Sequence, residues 1–564
     1  MHWHTLAKPT CHRPTALPMR IELMQAQHRL WLRRLQRMLR KLVPALIAAA
    51  ALAIGQAMAH DDPSAAHTAT RVPAASDSQQ VFYHVFMRSM RDSNGDGKGD
   101  LQGLIDSLDY LQLLGINCLL LTPLYPSDFY HNYFAYRFEG IDPAFGNMAD
   151  FRRLVAALHA RGMKIFLDEE IQYTEGTHPW FTESLDHPDS RYADFILYRD
   201  ADHMKPVSGP LDLTTMNSFG NPPLILATVN LKSPQVQAYF RHYLLSWMDL
   251  DGSGRYSEGV DGFRIDHMMD NLDDKGVLTH LFAEFWRPMF AALRKANPNV
   301  RIIAEQADWG DGHDFFARGD ADAVFAFPLH AAIRSLDKNR IVAALRQTAA
   351  ATPPGKRQLI FVENHDMDRV ASDPGMTPER LRSVAALNLL LADTPIIYYG
   401  QELGMRGRLL NQYKTDELGI GVREAFRWKA SEEVPIQANW YRGGASYWTQ
   451  RFNRSHDGVS VEEEDHDPAS LLNRYRQLIR LRHAHPALNA GNQQVLDSPP
   501  GILVIERNAG NERLWLIANL SGAPVRYQPP LPNGTKPTDL LGSSVADDGA
   551  LMLKPYQTML VVAK

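Results

Sequence analysis

An alternation through the middle of the chain limits its fold more than any other feature: from about Val81 onward, short apolar runs are separated by amphipathic helical stretches. Buried parallel strands read as continuous apolar runs, and the helices that cover them carry one apolar face, so this is the pattern of βα units. Eight candidate strands fall at 81–86, 117–122, 164–169, 262–266, 301–305, 323–327, 359–364 and 395–399. Among the helices between them are 101–114 and 148–161, the latter with Phe151, Leu154, Val155 and Leu158 on one face and Gly162 as its stop. Eight such units predict an α/β protein, a closed (β/α)8 TIM barrel. The gap between the third and fourth strands is far longer than an ordinary connection, which predicts an inserted subdomain after strand three. Past about Asn489, short strands with Pro and Gly turns predict a C-terminal antiparallel β-sandwich. The expected limits are 81–171 and 224–488 for the barrel, 172–223 for the insert and 489–564 for the sandwich.

Ahead of the barrel, Arg33, Arg34, Arg37, Arg40 and Lys41 precede an apolar run at 42–54 and then Ala57-Met58-Ala59. Basic, apolar and small-residue regions in that order predict an export signal over 1–59, with processing after Ala59, and Met38 is a candidate start. The apolar run is shorter than the ~20 residues of a membrane-spanning helix, so no stable span is expected after processing; an uncleaved anchor is the alternative. Residues 60–80, rich in Ala, Ser, Thr, Asp and Pro, read as a flexible linker. The mature protein is therefore expected outside the cytoplasm, periplasmic or secreted. Of the two cysteines, Cys11 would leave with the signal, and Cys118 in an apolar stretch reads as a buried structural thiol. A net charge of -5 gives no electrostatic reason to expect nucleic acid as a partner, and a neutral substrate fits at least as well.

In such a barrel the active site is built where the strands end. The fourth strand reads Gly262-Phe263-Arg264-Ile265-Asp266, and its period of two puts Arg264 and Asp266 on the lumen side. His267 is expected on the opposite face as a packed histidine. The fifth strand ends on Glu305 and the seventh runs into Glu363-Asn364-His365-Asp366. Three rim carboxylates beside an arginine suit glycosidic cleavage, in which one carboxylate attacks the anomeric carbon and a protonated one donates to the leaving oxygen. After the first strand, Asp92-Ser93-Asn94-Gly95-Asp96-Gly97-Lys98-Gly99-Asp100 offers hard oxygens at alternate positions. That spacing suits Ca2+, with side-chain oxygens from Asp92, Asn94, Asp96 and Asp100 and the carbonyl of Lys98; Gly103 at the twelfth position separates it from an EF-hand. Asp249-Leu250-Asp251-Gly252-Ser253-Gly254 is a shorter imitation and reads as a turn.

These residues resemble the α-amylase family, glycoside hydrolase family 13, over most of 81–564. Gly262-Phe263-Arg264-Ile265-Asp266 is similar to the family motif whose Asp is the nucleophile, Glu305 falls where the acid/base stands, and Asn364-His365-Asp366 resembles the motif that stabilises the transition state and grips sugar hydroxyls. Ile141-Asp142-Pro143 with Phe145-Gly146, and the segment 395–400 with Glu402-Leu403-Gly404-Met405, extend the resemblance. It implies a carbohydrate substrate, a structural calcium at the 92–100 loop, and a sugar-stacking tyrosine at Tyr133, with Asp168 as a partner of Arg264.

At the end of the third strand the family shows Asn and His where this chain has Gln172 and Tyr173, so no second calcium is expected there. Thr228-Val229-Asn230-Leu231 likewise departs from the segments that separate starch-acting from short-oligosaccharide-acting members. The reading is a retaining α-glycoside hydrolase on α-linked gluco-oligosaccharides or polysaccharides. Alternatives are a transglycosylase on the same substrates and a non-catalytic carbohydrate-binding member; a sugar-phosphate isomerase would call for a Gly-rich phosphate turn where Gly400-Gln401-Glu402 stands.

Overall fold

The computed structural model describes residues 79–563 apart from 392–393, 411–415, 490 and 547; the expected signal and most of the expected linker lie outside the described residues. Among the described residues, eleven strands precede the C-terminal region: β1 (Phe82–Val85), β2 (Cys118–Leu121), β3 (Lys164–Glu169), β4 (Tyr173–Glu175), β5 (Thr215–Met216), β6 (Leu224–Thr228), β7 (Gly262–Met268), β8 (Arg301–Gln306), β9 (Ala323–Phe325), β10 (Arg357–Ile360) and β11 (Thr394–Tyr398). Eight of them close into a parallel barrel in the order β1-β2-β3-β7-β8-β9-β10-β11, with β11 pairing back onto β1.

Alternation along the strands sorts two cores. Phe82, Cys118, Leu120, Phe166, Ile303, Phe325, Leu359 and Ile396 fill the lumen. Their strand neighbours, among them Tyr83, Val85, Leu119, Ile165, Phe263, Ile265 and Ile302, join the larger cluster under the helices. Each large apolar side chain so buried contributes about 1.5–3 kcal/mol. The helix Met148–Ala160 turns Phe151, Leu154, Val155 and Leu158 inward and starts at an Asn147–Asp150 capping box.

Several expected boundaries move. The 101–114 helix is two, Leu101–Ile105 and Leu108–Leu114, because Ser107 turns its hydroxyl back onto the Gly103 carbonyl at 2.7 Å. The sixth strand stops at Phe325, since a helix with proline in its first turn begins at Phe327. The seventh is Arg357–Ile360, where Asn388 Nδ2 donates to the Ile360 carbonyl at 2.7 Å, so 361–366 is a loop rather than a strand end. Between β3 and β7, strands β4, β6 and β5 form a small antiparallel sheet that reaches Thr228, past the expected limit at 223.

The C-terminal region holds β12 (Asn492–Leu496), β13 (Ile502–Ala509), β14 (Glu512–Asn519), β15 (Val525–Tyr527), β16 (Pro537–Asp539), β17 (Leu551–Leu553) and β18 (Thr558–Ala563). A five-stranded antiparallel sheet, β12-β13-β14-β18-β16, and the β15-β17 pair share a core of Val504, Trp515, Ile517, Tyr527, Leu551 and Val561. Buried Arg507 of β13 donates to the carbonyls of Leu390 (2.7 Å) and Leu488 (2.9 Å), tying this region to the barrel's last helices. Among the described residues no helix is long and apolar enough to cross a membrane.

Candidate active site

Arg264 is the hub of the site. Lumen-facing on β7 and 1% exposed, it donates through Nη1 to Asp168 Oδ1 of β3 (2.6 Å) and to Asp266 Oδ1 (2.5 Å), and its Nη2 forms an ion pair with Glu305 Oε2 of β8 at 2.8 Å. Three adjacent strands thus aim three buried carboxylates at one guanidinium, whose planar fork can serve all of them at once. Burial alone would push the Asp266 carboxyl up, but His267 and Arg264 beside it hold it down at about 2. Glu305 goes the other way, because its burial outweighs the pull of Arg264 and leaves it above the usual carboxylate range. Two neighbouring carboxyls with opposite shifts are the electrostatic signature of a paired base or nucleophile and acid. Gln306, next to Glu305 on β8, locks β8 to β9 by exchanging two hydrogen bonds with the Phe325 backbone, at 2.6 and 2.9 Å.

The opposite rim is built from loops. Asn364 Oδ1 accepts the Asp366 N–H at 2.9 Å, an Asx turn that presents the Asp366 carboxylate with its side chain 38% exposed. Asp366 Oδ2 lies 2.9 Å from His365 Nε2, and Oδ1 accepts from Arg423 Nη2 at 2.9 Å. Burial opposes ionisation of Asp366, and the pairing with His365 and Arg423 outweighs it, holding the carboxyl well below its usual range. Arg423 also donates to the His365 carbonyl (2.9 Å) and to the Tyr130 hydroxyl (2.7 Å). Tyr133 stacks on the His365 ring with centroids 5.3 Å apart, and its hydroxyl bridges Asp168 Oδ2 (2.7 Å) and His365 Nε2 (2.8 Å). All eight residues expected at the site therefore meet here. Arg423 escaped sequence reading because it sits in an irregular segment with no period to place it.

His267 corrects an expectation. Strand β7 bulges: Ile265 faces Ala304 while Met268 faces Gln306, so β7 carries one extra residue and the alternation breaks after Asp266. His267 takes a left-handed backbone (φ 41°) and keeps its side chain 46% exposed, with Nδ1 3.4 Å from Asp266 Oδ2, instead of packing into the core. The Asp266 charge raises this imidazole to about 9. Gln172 is fully buried, and its amide nitrogen donates to the Asp266 carbonyl at 2.5 Å and the His267 carbonyl at 3.2 Å, so it pins the bulge. The Tyr173 hydroxyl donates to Asp273.

In the 92–100 loop Asp92, Asn94 and Asp96 close Asx-type turns, and Asp100 caps the helix Leu101–Ile105. Asp92 accepts from the N–H groups of Asn94 (3.0 Å), Gly95 (2.7 Å) and Gly97 (2.7 Å), Asn94 from Asp96 (2.9 Å), Asp96 from Lys98 (2.8 Å), and Asp100 from Ser93 (2.9 Å) and Gly103 (2.7 Å). Gly95 and Gly97 sit at φ 85°, which only glycine adopts freely. Asp92 Oδ2, Asn94 Oδ1, Asp96 Oδ1 and Asp100 Oδ2 each accept one of these bonds and retain a second lone pair for a hard cation, while Asp92 Oδ1 and Asp100 Oδ1 already accept two, so the donor chemistry fits through the first four oxygens. Among the described residues, the titratable groups near enough to share an ion are Glu170, Asp266 and His267 in one place and Asp249, Asp251 and Glu258 in another, so the three aspartates of this loop would have to draw together. In the second group Arg255 already lies between Asp251 (3.1 Å) and Glu258 (2.8 Å), as suits a turn.

The alpha-amylase catalytic-domain family model matches residues 84–491. The chain is 28% identical over 496 residues to alpha-amylase 3 of Dictyoglomus thermophilum, covering 85% of this chain and 92% of that protein. It is 26% identical over 554 residues to an oligo-1,6-glucosidase of Heyndrickxia coagulans (85% and 97% covered) and 28% over 569 residues to a trehalose synthase/amylase of Mycobacterium tuberculosis (86% and 90%). Among solved structures, the alpha-amylase from H. orenii matches with a TM-score of 0.71 at 26% identity, covering 86% of this chain and 99% of that one. Since the family match runs from His84 in β1 to the edge of the C-terminal sheets, the chain belongs to the α-amylase family and is an enzyme of the glycosidase class.

Proposed function

We propose that this enzyme is a retaining α-glycoside hydrolase acting on α-linked gluco-oligosaccharides or polysaccharides. The observation that carries the reading is the single guanidinium of Arg264 touching both Asp266 (2.5 Å) and Glu305 (2.8 Å). Carboxylates shared by one fork favour the short spacing of retaining enzymes, roughly 5 Å, over the roughly 6.5–9.5 Å that leaves room for a water between them.

In the first half-reaction Asp266 attacks the anomeric carbon as the bond to the leaving oxygen breaks, and Glu305 gives its proton to that oxygen. In the second half Glu305, now ionised, takes a proton from water; the water oxygen attacks the same carbon and Asp266 leaves. Two displacements retain the anomeric configuration. Asp366 and His365 grip hydroxyls of the reacting sugar, and the Asp366 charge counts most as the oxocarbenium-like transition state develops. Tyr133 offers its ring face to the apolar face of the pyranose. An acceptor sugar in place of water would make the same machinery a transglycosylase.

The 92–100 loop would hold a structural Ca2+ through Asp92, Asn94, Asp96, Asp100 and the Lys98 carbonyl, rigidifying the start of the helix Leu101–Ile105. Chelation is expected to lower the melting temperature by a few degrees, restored by Ca2+ and not by Mg2+; melting with and without chelator checks this, and an unchanged midpoint rejects the site. The charged stretch, apolar run and small-residue site at 33–59 support export to the periplasm or medium.

The reading is tested by product analysis of the protein lacking 1–59, with and without Asp266→Asn, on α-linked gluco-oligosaccharides and sucrose, following the product anomer by NMR. Turnover with retained anomer that vanishes in the variant is expected; an inverted product, or undiminished turnover in the variant, would overturn it.

A further inference from the structure

A carboxyl outside the set just described stands beside Asp266. Glu170 directly follows β3 and is 1% exposed. Its Oε1 is held by the loop backbone, accepting from the N–H groups of Gln172 (2.6 Å) and Tyr173 (3.2 Å). Its Oε2 is buried with no donor to satisfy it. Glu170 nevertheless lies with Asp266 and His267 in a cluster whose ligand atoms are all within 4.8 Å of one another. A buried carboxylate oxygen without a donor costs the full desolvation of that charge, and two ionised carboxylates at this range repel strongly in a low-dielectric setting. Both costs vanish when the pair shares one proton, turning the orphan acceptor into a donor.

We propose that Glu170 is a positioning residue for Asp266: its Oε2–H donates to the Asp266 carboxylate and fixes that carboxylate together with Arg264. Asp266 Oδ1 is then taken by Arg264 while the rest of the carboxylate is framed by Glu170 and the His267 ring. Other groups around Glu170 agree with a neutral carboxyl there. Asp273 follows in the segment after β7, Asp168 and Glu169 precede it on its own strand, and Tyr125 spends its hydroxyl on the Glu170 carbonyl (3.0 Å). Two cations stand nearby, and both are engaged by other carboxylates: Arg264 has its terminal nitrogens on Asp168, Asp266 and Glu305, and the His267 ring has Nδ1 3.4 Å from Asp266 Oδ2. Burial first, and the Asp266 charge second, push the Glu170 carboxyl well above its ordinary range. The same hydrogen bond adds to the forces that keep Asp266 ionised.

Glu170 thus supplies a neutral donor to the attacking group beside the charged Arg264 and His267, as the end of β3 turns into the insert. The inference rests on Asp266 being the nucleophile. Its test combines infrared difference spectroscopy with kinetics on para-nitrophenyl α-glucoside. Near neutral pH the wild type is expected to show a protonated carboxyl C=O band that Glu170→Gln lacks. Glu170→Gln retains an N–H donor and should keep kcat within about threefold, whereas Glu170→Leu, with a matched melting temperature, should lose roughly 10- to 100-fold in kcat with KM little changed, the worth of one charge-assisted hydrogen bond. Spectra with no difference band, or a Gln variant that falls as far as the Leu variant, would overturn the proposal and point to an ionised Glu170 or a metal ligand. Asp266→Asn run in parallel separates the two readings: if it keeps the wild-type rate, the nucleophile assignment fails, while the infrared band still decides who carries the proton.

Discussion

The two rims of this cleft are built by different means. Asp168, Arg264, Asp266 and Glu305 project from three paired strands, β3, β7 and β8, whose register fixes each Cα against its neighbour, as in Asp168 opposite Arg264 and Arg264 opposite Ile303. Asn364, His365 and Asp366 sit in a loop beyond β10 and are held from outside by Arg423 and Tyr133. The strand-held half is buried and mutually neutralised around one guanidinium; the loop-held half keeps its carboxylate 38% exposed. On the function proposed above, the attacking and proton-transferring groups are carried by strands, and the groups proposed to meet the sugar's hydroxyls are carried by a loop.

If that division holds, damage to the strand side should be the greater. Arg264→Met leaves Asp168, Asp266 and Glu305 buried without their shared cation, an expected loss of about 3–5 kcal/mol of stability alongside loss of activity, read by denaturant unfolding. Glu305→Gln should keep the fold and lose about 10²- to 10⁴-fold in kcat, together with the alkaline limb of the pH profile. Arg423→Met, on the loop side, should cost roughly 10- to 100-fold in kcat/KM and less stability than Arg264→Met, since it gives up the bonds to Asp366, the His365 carbonyl and the Tyr130 hydroxyl but leaves its one carboxylate partner in hydrogen bonding, Asp366, with a side chain 38% exposed. A Met variant at 423 more damaging to stability than the one at 264 would break the comparison. The smallest effect concerns His267→Ala. The imidazolium lowers the pKa of both Asp266 and Glu305, so its removal should raise both. Activity rises as Asp266 ionises and falls as Glu305 loses its proton, so both limbs of the kcat/KM profile should move to higher pH, and an unmoved alkaline limb would contradict this.

The same division governs what could be read from sequence. A strand has a period of two, so Arg264 and Asp266 could be put on the lumen face from residue order alone, and Glu305 follows from the next strand's end. A loop has no period. Arg423 lies 57 positions from Asp366 and belongs to no motif, and its role appears only once the chain is folded. Where a strand breaks its own rule the reading fails too: one extra residue in β7 swings His267 out of the core and into the cleft. Gln172 was legible as a departure, but that it pins the Asp266 and His267 carbonyls was not, because such contacts carry no residue-type signature. Glu170 was hidden in a run of two glutamates, of which Glu169 turns outward to the Tyr243 hydroxyl at 2.9 Å.

The claim on which the rest depends is that Asp266 becomes covalently attached to the sugar. Trapping with a fluorinated α-glucosyl fluoride, followed by peptide mapping, measures this directly. A glycosyl adduct on the peptide containing Asp266, absent in Asp266→Asn, is the predicted result; an adduct on Glu170 or Glu305 instead, or steady turnover with no adduct and an inverted product, would contradict it.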